Sequence, residues 1–427
     1  MSLTGPPSMG ARSSAEANRS TWILIAVRAG YAYNWFTIGP ALPAIGVSFA
    51  IGPAEWGVLV ASFLVGAGAM QVPAGLWARR RGSRAVSLYG AALLGIASIL
   101  CALAPSFAVL LALRVVAGVG AGLFFSPAIG LVSSLHSEGR RGLAVGGFSS
   151  AFSAGAALGI FTSALVVAGI GWQWDLASGG IGLLVLTGCA ALFIPRSAGA
   201  PPPRPLPAER VPRSLRIPTL WAIGFAFIGL EGAAFATSQF VVPYGTLTQG
   251  WTAAVAGAVG IAFVLPSVVG GPYGGTVAER RSNHRTQFVV ATGAAALVLF
   301  ALPWSGLAGA VAIGIVFSFC YGVIYAVMYI VPLYMPDVPR EEVPIAIGLF
   351  NSIQLAGGAV IASVFGWILA ATSYAFAWPA LAVMMVAPLA VLLAIPPIRR
   401  SSRRAARADG AGPPAAAAPA RPAARVP

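Results

Sequence analysis

The sequence predicts an all-α membrane protein of twelve transmembrane helices, built as two pseudo-symmetric six-helix bundles with both termini on the cytoplasmic side. Composition, the placement of arginine and an internal repeat point there. At 58% hydrophobic and 9% charged residues, with a mean hydropathy of +0.84, the chain lies well outside the soluble range of roughly 45–50% apolar and about 25% charged. All 26 basic residues are arginine. Only Arg28 and Arg114 fall inside long apolar runs, and the rest sit between runs in alternate gaps. Retention of basic loops in the cytoplasm produces that alternation when every run crosses the bilayer.

A spanning helix needs about 20 apolar residues, and runs of that size occupy residues 22–46, 54–78, 85–104, 106–131, 142–168 and 173–194. Residues 1–20 form a polar N-terminal tail without a cleavable-signal pattern, so the first run is expected to act as an uncleaved signal anchor. The second run exits into Arg79, Arg80, Arg81 and Arg84, and the fourth into Arg140 and Arg141. The sixth exits into residues 195–216, where prolines alternate with arginines and no apolar face can form, so this segment reads as a cytoplasmic linker between bundles 21–194 and 217–397. The second bundle carries runs 217–243, 253–277, 287–303, 306–334, 343–370 and 374–396. Residues 398–427, rich in Arg, Ala and Pro, read as a disordered cytoplasmic tail.

The bundles are copies of each other. AVGGFSSAFSAGAAL at 144–158 lies over AIGLFNSIQLAGGAV at 346–360, and GLWARRRGSR from Gly75 lies over GTVAERRSNH from Gly275. Two matches in order, at the same topology and with offsets of about 200 residues, favour duplication over chance.

The formal charge of +15 is explained by topology, with arginines facing anionic headgroups, and no nucleic-acid partner is expected. Cys101, Cys189 and Cys320 lie in different spans without CxxC spacing, and His136 and His284 lack metal-ligand spacing, so neither disulfides, a metal nor a cofactor is expected. No GxxxxGK[ST] loop is present for ATP, and GVGAG at Gly118–Gly122 follows no strand, so close helix packing explains it. An enzyme is not expected, because Glu341 and Glu342 form the one adjacent acidic pair.

Several motifs resemble the major facilitator superfamily, over essentially residues 20–397. Its loop motif after the second span is matched at Gly75, Ala78, Arg80, Gly82 and Arg84, with Arg79 where the family carries an acid. In the second half Gly275, Ala278, Glu279 and Arg280 keep the register and the acid. The resemblance implies that these loops act as conformational latches, and Arg79 puts the first in doubt. Arg114 in LALRVVAGVGAG is similar to the family's fourth-span motif, which implies a part in proton transfer. Gly171, Trp172, Gln173 and Trp174 resemble the Gly-Trp-x-Trp before the sixth span. NWFTIGPALPAI at 34–45 looks like the first-span motif of drug–proton antiporters, but with Asn34 in place of Asp, and the fifth-span drug motif is not kept. The fold implied is two six-helix halves rocking about a midplane site.

Charge inside a span costs about 2.5–3.5 kcal/mol on insertion scales and usually faces a cavity or a partner. Glu231 is read as the sole acid deep in a span, with Asp175 and Glu55 near external ends, and is the leading proton-coupling candidate; the alternative is a static ion pair with Arg28 or Arg114. Arg28 could instead snorkel to the inner headgroups, and Arg114 is expected to face the cavity. Tyr321, Tyr325 and Tyr329 recur every four residues and form one stripe. With Asn34, Thr37, Gln239, Asn351 and Gln354 they are substrate-cavity candidates. Pro40, Pro43, Pro243 and Pro332 could bend helices.

The expected function is secondary active transport of a small solute by alternating access in a bacterial-type inner membrane, coupled to protons and carried out by a monomer. Two buried arginines against one buried acid favour a small anion or organic acid. The alternatives are proton-driven efflux of hydrophobic or cationic compounds and, in another class, a non-transporting receptor or assembly factor.

Overall fold

The computed structural model describes residues 9–198, 213–280, 284–335, 337–338 and 343–394. These residues are helical almost throughout and contain no strand. The first half comprises α1 (Met9–Phe36), α2 (Ile38–Phe49), α3 (Pro53–Arg81), α4 (Ser83–Ala102), α5 (Phe107–Ser134), α6 (Glu138–Ile170) and α7 (Trp172–Phe193). The second comprises α8 (Pro218–Leu247), α9 (Ala253–Ala262), α10 (Ser267–Arg280), α11 (His284–Phe300), α12 (Leu307–Tyr334), α13 (Val343–Ala371), α14 (Tyr374–Val386) and α15 (Leu389–Ala394).

Among the described residues, 11 helical stretches are long and apolar enough to cross a membrane, and they coincide with the second to twelfth predicted runs. The first run, 22–46, falls on α1 and α2 and is not one of them. Two causes combine. Thr37 divides the apolar stretch so that α2 has only 12 residues, and α1 carries Arg19, Arg28 and Asn34 among its apolar residues. Pro40 offers no N–H to the Phe36 carbonyl, which explains the interruption. Thr37 keeps φ −64° and ψ −31°, so the chain bends here without reversing. Pro266 and Pro388 stand at the equivalent breaks between α9 and α10 and between α14 and α15. Gly82 and Gly171 close the turns after α3 and α6 at φ 88° and 99°, in the region where a side chain would be strained.

The packing repeats as the sequence does. In the first half α1 lies along α6, α3 and α4 along α5, and α4 along α7; in the second α8 lies along α13, α10 and α11 along α12, and α11 along α14. Small residues permit the closest approaches. A Cβ on Gly66 would meet the Val115 carbonyl and one on Gly118 the Phe63 carbonyl, between α3 and α5. At the corresponding place Gly270 abuts Phe319 and Gly322 abuts Ser267, between α10 and α12. Most of the linker (199–212) and the whole tail lie outside the described residues.

The halves meet along three seams: α2 with α8, α3 with α13, and α6 with α9. Gly39 lies against Gln239, Gly57 against Ala362, Gly366 against Pro53, and Gly260 against Ile160. Gly57 and Gly366 lie at the helix ends remote from the arginine-bearing loops, so the α3–α13 seam is closed on the arginine-free side.

Candidate functional site

A small cavity of about 60 Å³, open to solvent, lies between the halves. Trp35 and Phe36 line it from α1, Phe152 and Ser153 from α6, and Glu231, Ala234, Phe235 and Ser238 from α8. Phe263 and Val264, between α9 and α10, Ser267 of α10 and Tyr321 of α12 complete the wall. Positions 231, 234, 235 and 238 share one face of α8 because they recur at the helical spacing. Glu231 is the charged group in this wall, and its Oε2 accepts a 2.9 Å hydrogen bond from the Tyr321 hydroxyl. Ser153 and Ser267 face each other across the halves with their hydroxyls 3.0 Å apart. The arrangement is a single carboxyl group in an aromatic and hydroxyl-bearing wall. It can hold a proton or attract a cation.

The two intramembrane arginines are elsewhere. The Arg28 guanidinium is 6% exposed and is boxed by the rings of Tyr31, Phe125, Phe148 and Phe152, with centroids at 4.7, 4.5, 5.3 and 4.6 Å. Ring faces attract it, and this enclosure differs both from lining the cavity and from snorkelling to the headgroups, the two readings open for Arg28. Phe152 also belongs to the cavity wall, so Arg28 sits one ring behind it. Arg114, 1% exposed, lies over the Phe63 ring at 4.5 Å, and its Nε and Nη2 have no hydrogen-bond partner among the described residues. Neither arginine lines the cavity. The partner that Glu231 takes is Tyr321, and the alternative of a static ion pair with Arg28 or Arg114 is not seen among the described residues.

Of the polar cavity candidates, Tyr321 lines the wall, and the Tyr325 ring lies beside it at 5.5 Å. Tyr329 continues the same helix, with its side chain outside the described residues. The others are engaged with protein groups instead. The Asn34 amide donates to the carbonyls of Gly30 at 2.8 Å and Gly179 at 2.9 Å, tying α1 to α7. Gln239 donates to the Trp35 carbonyl at 3.2 Å across the halves. Gln354 donates to the Asn351 side-chain oxygen at 3.0 Å. The Thr37 carbonyl accepts from Ser163 at 3.3 Å. An unpaired amide in hydrocarbon is costly, and the amide N–H groups of Asn34, Gln239 and Gln354 have protein acceptors, whereas their side-chain oxygens have no partner among the described residues.

In the loop motif, Gly75 has open space around it, and Arg79 and Arg80 are exposed. Gly82 ends α3. Arg84 donates from Nε to the Ile194 carbonyl at 3.1 Å and from Nη2 to the Ala191 carbonyl at 2.7 Å, placing a cation at the C-terminus of α7, where the helix dipole favours one. Gly275 is half-buried in α10; the side chains of Glu279 and Arg280 lie outside the described residues.

One acid differs from the sequence reading. Asp175, placed near an external end, is 0% exposed and bonded to the Ser163 hydroxyl. Position along the chain gives depth across the bilayer but not whether a side chain points between helices or outward, and the first turn of α7 points between them.

Helices crossing the membrane many times in two repeated sets, with a cavity between the sets, define a polytopic membrane transporter. The chain belongs to the Major Facilitator Superfamily, whose family model matches residues 24–337. It is an integral, multi-pass protein of the bacterial inner membrane and a transporter, not an enzyme. "Probable nitrate/nitrite transporter NarK2" of Mycobacterium tuberculosis is 26% identical over 66% of this chain and 71% of that protein. The MFS-type transporter Rv1250 of the same organism is 30% identical, but the match spans 36% of this chain and only 27% of that protein. Its "Multidrug resistance protein Stp" is 34% identical over 32% of this chain and 26% of that one. Among solved structures, a D-xylose–proton symporter superposes with a TM-score of 0.69 at 14% identity, covering 88% of this chain and 98% of that one. A bacterial Spinster homologue, inward-facing and occupied, superposes at 0.68 and 18% identity, covering 91% and 96%. These two likenesses show the fold alone.

Proposed function

We propose that this chain is a secondary active transporter with both termini cytoplasmic, which exchanges a proton at Glu231 while moving a small hydrophobic or cationic organic solute. The observation that carries this reading is the cavity wall. It presents one carboxyl group, held by Tyr321, among the aromatic rings of Trp35, Phe36, Phe152, Phe235 and Phe263. Such a wall favours apolar and cationic groups over anions. The preference for an anion drawn from counting arginines loses its support, because Arg28 and Arg114 are turned into rings. With the arginine-bearing loops cytoplasmic, the closed seams face outward and the structure corresponds to an inward-facing state.

The likeness to NarK2 supports a second reading, transport of a small inorganic anion. Arg114, with two unpartnered nitrogens, is the group that would serve it after a rearrangement.

Proteoliposomes with an imposed pH gradient separate the readings. On the first, lipophilic cations such as ethidium drive proton movement reported by an entrapped pH dye, and nitrate does not. Glu231→Gln abolishes gradient-driven accumulation but spares solute exchange; unchanged accumulation would remove Glu231 from the coupling role. Proton movement with nitrate and none with cations would reverse the order of the two readings.

A further inference from the structure

We propose that Asp175 is a second proton-carrying site, outside the solute cavity, whose bound proton ties the bend between α1 and α2 to α6 through Ser163. The argument is a count of hydrogens. The Ser163 hydroxyl lies within hydrogen-bonding distance of two acceptors, the Thr37 carbonyl at 3.3 Å and the Asp175 carboxyl group. A hydroxyl has one hydrogen to donate. Asp175 and Ser163 are 0% exposed and Thr37 1%, so no water is at hand to supply another. If Asp175 is ionised, the two acceptors compete for that hydrogen, and Asp175 Oδ1, which has no partner, carries charge in hydrocarbon. An uncompensated buried charge is strongly unfavourable. If Asp175 is a carboxylic acid the count closes: its O–H donates to Ser163 Oγ, and the Ser163 O–H donates to the Thr37 carbonyl.

Among the described residues the neighbouring elements supply no cation, and the N-terminus of α7, in whose first turn Asp175 lies, offers only partial positive charge. From α1 the facing titratable group is Tyr33, whose hydroxyl is bonded to Thr162 of α6 at 3.0 Å. Arg28 on the same helix is enclosed by rings. The segment α2 has no ionisable side chain. On α4, Arg84 is engaged at the far end of α7, Tyr89 is exposed, and Cys101 is a buried thiol. The described charged side chains of α6, Arg140 and Arg141, belong to its opposite end.

The location gives the proton a mechanical consequence. Thr37 is the residue at which α1 passes into α2, and two residues further on Gly39 forms the seam with Gln239 of the other half. When Asp175 releases its proton to the aqueous phase, the Ser163 hydrogen turns from Thr37 to the carboxylate, and the bend is no longer held to α6. The closed seam holds the proton and the loosened one does not, so rising pH favours opening on the arginine-free side.

The test uses the full-length chain in nanodiscs, with Glu231→Gln to silence the cavity acid and Cys101, Cys189 and Cys320 replaced by alanine. Infrared spectroscopy should show a protonated carboxylic acid band at neutral pH that disappears in Asp175→Asn and shifts in Ser163→Ala. Spin labels at Val47 of α2 and Leu247 of α8, both exposed, should move apart as pH is raised. In Asp175→Asn, whose amide donates to Ser163 at every pH, they should stay close. Absence of the band, or an undiminished pH response in Asp175→Asn, would overturn the proposal. If Asp175→Asn does not fold, pH titration of the band and its shift in Ser163→Ala decide the matter. None of these readouts requires a solute, so their failure is distinct from failure of the cavity reading.

Discussion

Tyr321 holds Glu231 through one hydrogen bond of 2.9 Å, and a hydrogen bond to a charged group is worth about 1.5–3 kcal/mol. Tyr321→Phe keeps the ring and removes the donor. Proton-driven accumulation in proteoliposomes should fall roughly tenfold or more, since about 1.4 kcal/mol corresponds to a factor of ten, while solute exchange continues. Equal loss of both activities would mean that the ring, not the hydroxyl, matters. Arg28 presents a different case, a charge set among four ring faces. Arg28→Lys keeps the charge but loses the planar stacking, so a loss of about 1–2 kcal/mol and a lower melting temperature in detergent are expected, with transport per folded molecule retained. Glu231 is legible in the sequence because a charge in an apolar run stands out without any geometry. Ala234, Phe235 and Ser238 were available to the same helical count taken from Glu231. The partners of Asn34 on α7, of Gln239 and of Asp175 were not, because each bond crosses between helices, and periodicity does not say which helix or which residue lies opposite.

At the scale of the helix, small residues decide how closely neighbours approach, and the cost of enlarging one depends on what faces it. A Cβ on Gly118 would run into the Phe63 carbonyl of α3, whereas one on Gly146 of α6 meets nothing within 4 Å. Gly118→Leu should therefore destabilise the protein by about 1–3 kcal/mol through overpacking, read as a lower melting temperature and lower yield. Gly146→Leu should leave both unchanged. The helices themselves are legible because twenty apolar residues closed by arginines or turn residues have few alternatives in a bilayer. The first span departs because its bend depends on the absent N–H of Pro40, a local effect that run length ignores. The GVGAG motif is legible as packing, yet its partner α3 emerges only from the fold.

Across the whole molecule, the two sets of helices touch on the arginine-free side through seams without room for a side chain. A Cβ on Gly57 would stand 2.7 Å from the Ala362 carbonyl oxygen, and one on Gly366 would stand 2.5 Å from that of Pro53. Both obstructions are backbone atoms on helices belonging to opposite halves, so rotating a side chain cannot relieve them. The halves can, by separating at that end, which is the motion alternating access requires. Each half keeps its own packing when they do, because contacts such as those of α3 with α5 and of α10 with α12 are made within one half. Gly57→Leu, and independently Gly366→Leu, should therefore shift the population toward the state open on the arginine-free side while leaving the protein folded. In a cysteine-free background, Ser238→Cys on the cavity wall then reports the change. A membrane-impermeant thiol reagent added outside right-side-out vesicles should label it slowly with glycine at 57 and much faster with leucine, and net transport should fall because closure is blocked. Slow labelling in both would mean that leucine is accommodated within the closed seam, and that the glycines serve packing alone.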